Sequence, residues 1–225
     1  MRQGCVSDVR AAASTGEIVL RQEVDRGSDA QARTANLPIG SLVAAGACAL
    51  ALAACITTLE LASDHAMDLG GFLASGGAYA IEHHLPAWSW IWPVSFVGVW
   101  VFVVAHALAA WRAGGFNLVL PTWCALFLWA GVSFLRHAFS PPGGGALDWG
   151  WLVCGVVFAA TGALPLLLFL PQSPVVNSFT FRFASRPGVS PAAARRYRVA
   201  YCALHAAAIA CGVAVGFAVI DAIAR

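Results

Sequence analysis

The side chains best suited to chemistry fall between Leu59 and Trp92, in LELASDHAMDLGGFLASGGAYAIEHHLPAWSWIW. Glu60, Asp64 and Asp68 are spaced i, i+4, i+8, so a helix running on past Leu61 lines three carboxylates along one face, with His65 one residue round. Glu82, His83 and His84 follow before the next apolar run, and no Lys or Arg interrupts the stretch. In a bundle of alternating helices, the same end also carries Arg136, His137, Asp148 and Asp221. Carboxylates and imidazoles gathered in this way suit a divalent metal (Zn, Mn, Fe or Cu, according to ligand count and geometry) or a relay of protons. The candidate ligands are Glu60, Asp64, His65, Asp68, Glu82, His83, His84 and His137. No HExxH or comparable spacing fixes that chemistry. The plainer alternative leaves these groups in solvent, with Arg136 paired to Asp221 or Glu60.

A second pair of candidates sits inside apolar segments. His106 is five residues from Trp111 and His205 is six from Val199, which gives both a similar depth. Two such histidines on neighbouring helices could ligate a haem as a bis-histidine pair. The alternative is that each hydrogen-bonds across to a neighbouring helix, as polar groups within a membrane must.

The elements that must position these groups are membrane helices. Sixty percent of the 225 residues are apolar and 11% charged, which supplies too little polar surface for a soluble domain. The hydropathy pattern predicts an all-α bundle of five transmembrane helices over about 38–61, 88–111, 118–139, 149–170 and 199–223. Trp88, Trp90 and Trp92 at one end of the second span and Trp111 at the other match interfacial aromatic belts. Pro165 is expected to kink the fourth span. Pro174, Pro187 and Pro191 are expected to break the stretch before the fifth into a loop with a short amphipathic piece. Residues 1–37, with five Arg and five acids and no long apolar run, read as a disordered cytoplasmic tail.

Orientation follows from Arg placement, since all thirteen basic residues are Arg. Five lie in the tail, Arg112 follows the second span, and Arg182, Arg186, Arg195, Arg196 and Arg198 precede the fifth. The stretches 62–87 and 140–148 carry none. The N-terminus is therefore expected inside and the C-terminus outside, with the acid and histidine cluster on the outer face of a bacterial plasma membrane. The five Arg before the last span could also meet anionic headgroups.

Other motifs are quieter. The seven Cys include no CxxC pair, so they read as small apolar side chains. Gly70, Gly71, Gly76 and Gly77 bracket an apolar patch that could lie over the bundle as a lid. Ala208, Gly212 and Gly216 make a small-residue stripe suited to close helix packing. No serine elbow, phosphate loop or histidine box is present. The leading expectation is thus a non-enzymatic accessory or scaffold subunit of a membrane complex, with lipid and other membrane subunits as partners and no nucleic acid. The alternatives are a small transporter or channel-like protein with an acid/histidine vestibule, and a membrane-embedded metal- or haem-binding protein.

Overall fold

A computed structural model of the chain describes residues 38–68, 87–141, 144–167, 181–186 and 188–224. Five α-helices account for most of them: α1 (Ile39–Asp68), α2 (Ile91–Ala113), α3 (Val119–Phe139), α4 (Trp149–Leu167) and α5 (Pro191–Ala224). Short 3-10 turns at Ala87–Trp90 and Arg182–Ser185 precede α2 and α5. There is no strand among the described residues. The helices α1, α2, α3 and α5 have the length and apolar character to cross a membrane, and α4 is apolar but shorter. The chain is thus an all-α protein of the integral membrane type.

Local chemistry sets where each helix starts and stops. Gly114 ends α2 with φ 75°, a left-handed conformation that costs glycine nothing, and its N–H donates to the carbonyls of Ala110 and Trp111. Asp148 caps α4, its Oδ1 accepting from the N–H groups of Gly150 (2.8 Å) and Trp151 (3.1 Å). Ser190 Oγ accepts from the Ala193 N–H at 3.2 Å and places Pro191 in the first turn of α5.

Two sequence expectations change here. The fifth helix begins at Pro191 rather than near Val199, because proline at the first helical position lacks only an N–H that would have no partner there anyway. The first helix runs on from Leu61 to Asp68, two turns beyond the expected span. That extension is what lines up the three acids. The tail 1–37, the glycine-bracketed stretch and residues Glu82, His83 and His84 lie outside the described residues.

Packing makes α1 the central helix, with α2 against one side and α5 against another, while α3 and α4 form a hairpin of their own. Small residues allow each close approach. Gly98 of α2 receives the Cys55 side chain, and Gly212 and Gly216 of α5 seat against Leu50, Ala53 and Thr57 of α1. Gly131 of α3 lies against the backbone of Ala159, and Gly155 and Gly162 of α4 lie against Leu135 and Leu128. The small-residue stripe of α5 is therefore used inside the chain.

These contacts give alternating helix directions and two unlike ends. The described acids Glu60, Asp64, Asp68, Asp148 and Asp221 all belong to one half of the bundle, the acidic end. Arg112, Arg182, Arg186, Arg195, Arg196 and Arg198 belong to the other, the basic end. At the acidic end Trp92 Nε1 donates to Ser63 Oγ at 2.6 Å and Trp88 packs on His65, with ring centroids 5.3 Å apart. A tryptophan belt therefore runs level with residues 63–65. At the basic end the Arg182 guanidinium lies 3.4 Å above the Trp111 ring, marking the opposite interface.

Candidate functional site

At the acidic end α1 and α3 run in the same direction, so successive turns of one face successive turns of the other. The outermost level joins Asp68 to Arg136 and His137. Arg136 Nη2 donates to Asp68 Oδ1 at 3.2 Å and stands 3.6 Å from Asp64 Oδ1. His137 Nδ1 lies 2.8 Å from the Ser133 carbonyl oxygen, which can only accept, so Nδ1 carries a proton. Its Nε2 lies 3.0 Å from Asp68 Oδ1 and 3.5 Å from Arg136 Nη2, so the ring sits between the carboxylate and the guanidinium.

One turn further in, hydrogen bonding is incomplete. Asp64 Oδ1 and Ser133 Oγ are both buried without a hydrogen-bond partner. Asp64 keeps its ion pair to Arg136, but at a separation beyond hydrogen-bond length. A further turn inward, inside the tryptophan belt, Glu60 is only 6% exposed and has no hydrogen-bond or ion-pair partner among the described residues. The ladder thus passes from Asp68, whose side chain is 56% exposed and whose Oδ1 meets both Arg136 and His137, through Asp64 at 21%, to an enclosed Glu60 with no partner among the described residues.

Of the eight proposed metal ligands, Glu60, Asp64, Asp68 and His137 share this region. His65 packs instead at a tilt against Trp88. Among the described residues no three His, Cys, Asp or Glu side chains gather as a metal would require. The Arg136 guanidinium among the carboxylates also competes with any divalent cation. Arg136 takes its partners from Asp64 and Asp68, one and two turns beyond Glu60, which is the partner the sequence offered on α1.

In the basic half, His106 of α2 and His205 of α5 meet directly, Nε2 to Nε2 at 3.1 Å, with their rings at 89°. Both are enclosed, at 0% and 2% exposure. The backbone fixes their tautomers. Leu118 N–H donates to His106 Nδ1 at 3.3 Å, so that nitrogen is bare and Nε2 carries the proton. The Tyr201 carbonyl accepts from His205 Nδ1 at 2.8 Å, so His205 presents a bare Nε2 to its partner. The result is a chain of three hydrogen bonds with every ring nitrogen used once. Tyr201 stacks on His205 at 4.0 Å, and Phe116 stands 6.1 Å from it on another side. A bis-histidine haem needs iron and a macrocycle between the two nitrogens. Direct hydrogen-bond contact and flanking aromatic rings leave no such gap, so these residues do not fit a haem.

Two tyrosines that are absent from the sequence candidates hold this region together. Tyr197 and Tyr201 donate to the carbonyls of Ala113 (2.7 Å) and Phe116 (2.6 Å), and the Phe183 N–H donates to the Gly114 carbonyl at 3.0 Å. All three bonds satisfy backbone of the turn between α2 and α3. The signal was present as the i, i+4, i+8 spacing of Tyr197, Tyr201 and His205, which becomes visible once the helix begins at Pro191. Compared with protein-family models, curated proteins and solved structures, the chain matches none.

Proposed function

We propose that this chain is a small, non-enzymatic, proton-handling membrane protein, in which carboxylates at the acidic end pass protons to Glu60 inside the tryptophan belt. Glu60 carries the reading: it is 6% exposed, partnerless among the described residues, and adjoins a turn where Asp64 Oδ1 and Ser133 Oγ are buried without hydrogen bonds. Ionisable groups at membrane depth are costly unless they pair, meet water or serve a pathway. Buried unsatisfied polar atoms likewise call for water or an ion. The row Asp68, Asp64, Glu60 steps inward by about 6 Å per pair, one helical turn. With Arg136 and His137 holding the outer carboxylates, a proton suits the row better than a divalent cation.

The reading places α4 as the fourth of five spans and the arginine-rich end in the cytoplasm, so protons enter from outside a bacterial plasma membrane. The test is proton flux into liposomes enclosing a pH-sensitive dye, under an imposed membrane potential. Flux with the wild-type protein that is lost in Glu60→Gln and reduced in Asp64→Asn supports it. Wild-type flux no faster than that of protein-free vesicles defeats it.

A second reading, an accessory subunit of a larger membrane complex, is favoured by α4. That helix packs chiefly on α3 and leaves Val153, Val156, Val157 and Leu164 exposed to lipid or to another subunit. A stable native complex larger than the chain in its lipid shell would support this reading, and a monomer without companions would count against it.

A further inference from the structure

The arginines of the basic end divide into two groups according to what surrounds them. Two lie on aromatic rings: the Arg182 guanidinium sits 3.4 Å above Trp111, and that of Arg186 stands 5.5 Å from Phe183. Arg195 and Arg198 are different. Both are exposed on the first two turns of α5, and with Val189, Pro191 and Ala194 they line an open cleft of about 500 Å³. Pro191, Ala194, Arg195 and Arg198 fall at i, i+3, i+4 and i+7, a single face of the helix. Among the described residues neither arginine meets a carboxylate, since every described acid belongs to the opposite half of the bundle.

The backbone beside the cleft is tied down. Gly188 takes φ 84°, the Val189 N–H donates to the Arg186 carbonyl at 3.3 Å, and Ser190 caps α5. The depth of the cleft is fixed by Tyr197, which lies between the two arginines in sequence. Its hydroxyl donates at 2.7 Å to the carbonyl of Ala113, the last residue of α2 and just past Trp111. Arg195 and Arg198 therefore stand where α2 leaves the apolar layer, the level at which lipid phosphates lie.

We propose that this cleft is a binding site for one anionic lipid, whose headgroup phosphate is held by Arg195 and Arg198. Guanidinium groups offer paired N–H donors that match phosphate oxygens, and two of them at one cleft suit a phosphate better than a lone point charge would. The remaining lining, Val189, Pro191 and Ala194, is apolar. It suits the glycerol and first acyl carbons attached to a lipid phosphate, which a free phosphate ion lacks. A discrete site thus emerges from a stretch whose composition shows only diffuse positive charge. It lies at the opposite end from Glu60 and does not depend on proton flux.

The experiment titrates the full chain in detergent with phosphatidylglycerol or with phosphatidylcholine and counts bound lipids by native mass spectrometry. Wild type should take one phosphatidylglycerol on the order of tenfold more tightly than phosphatidylcholine. The double variant Arg195→Gln, Arg198→Gln should lose that preference. A second double variant, Arg112→Gln, Arg196→Gln, removes the same charge from the same end but outside the cleft, and should keep most of it. All four side chains are exposed, so both variants should show wild-type helix content by circular dichroism, which separates lost binding from lost folding. Retention of the lipid against millimolar inorganic phosphate supports the headgroup as occupant. Its displacement would make the free ion the ligand and overturn the lipid assignment. The proposal is also overturned if wild type does not distinguish the two lipids. Equal losses in the two double variants would overturn it as well, because a diffuse patch responds to total charge and not to position.

Discussion

At the basic end, His106 and His205 have every ring nitrogen matched to a donor or an acceptor. At the acidic end, Asp64 Oδ1 and Ser133 Oγ are buried with no hydrogen bond, and Glu60 has no partner among the described residues. Both regions hold polar side chains inside an apolar bundle, but the completeness of their hydrogen bonding assigns them different work. A complete network holds helices in register, and removing any member leaves another stranded. An incomplete one costs stability and persists where something passes through it or binds to it. Burial points the same way, since the histidine pair is enclosed by aromatic rings while the carboxylates grade from half-exposed Asp68 to enclosed Glu60.

The comparison is broken most directly at His106. His106→Ala removes an enclosed side chain and strands both the Leu118 N–H and His205 Nε2, so thermal unfolding in detergent should show a loss of about 3–5 kcal/mol. A variant as stable as wild type would mean that the pair holds nothing. Tyr201→Phe tests the same region more gently. It leaves the Phe116 carbonyl without its 2.6 Å donor, for an expected loss of about 1–2 kcal/mol, and should speed amide exchange in the turn between α2 and α3.

How far each region could be read from the sequence follows from the physics that builds it. The acid row was legible because Glu60, Asp64 and Asp68 repeat at the helical spacing within a single segment. Similar depth in their spans also brought His106 and His205 together on paper. What sequence could not supply was the detail across helices. Arg136 meets Asp64 and Asp68 rather than Glu60 because α1 continues two turns past the apolar core, and hydropathy does not register a polar extension. The contact that makes a haem misfit is a matter of a few ångströms between helices with 98 residues between the two histidines, which no local pattern encodes. Pro191 was misread because proline both breaks and begins helices, and only its position after the Ser190 cap tells the two apart. The five-helix count rested on apolar run length, and α4 is the element where that measure is weakest.

Two changes at the acidic end sharpen the contrast with smaller effects on stability. Arg136 is 53% exposed, so its ion pairs are screened by water and Arg136→Gln should cost about 1 kcal/mol or less. The cost should shrink as salt is raised, since exposed charge pairs are screened over about 10 Å at 0.1 M ionic strength. A salt-independent loss would place Arg136 in a drier setting than its exposure implies. The smallest effect on stability belongs to Glu60→Gln. The substitution keeps the shape and removes the charge, and no partner among the described residues is lost with it. Its unfolding free energy should therefore stay within about 0.5 kcal/mol of wild type. The change should appear instead in the carboxyl C=O stretching region of the infrared spectrum. A band that responds to bulk pH in wild type should be missing from the variant, while the His106–His205 signature at the other end stays unaltered. If Glu60→Gln destabilises the protein as strongly as His106→Ala does, Glu60 is holding the structure rather than trading protons, and the distinction drawn between the two ends fails.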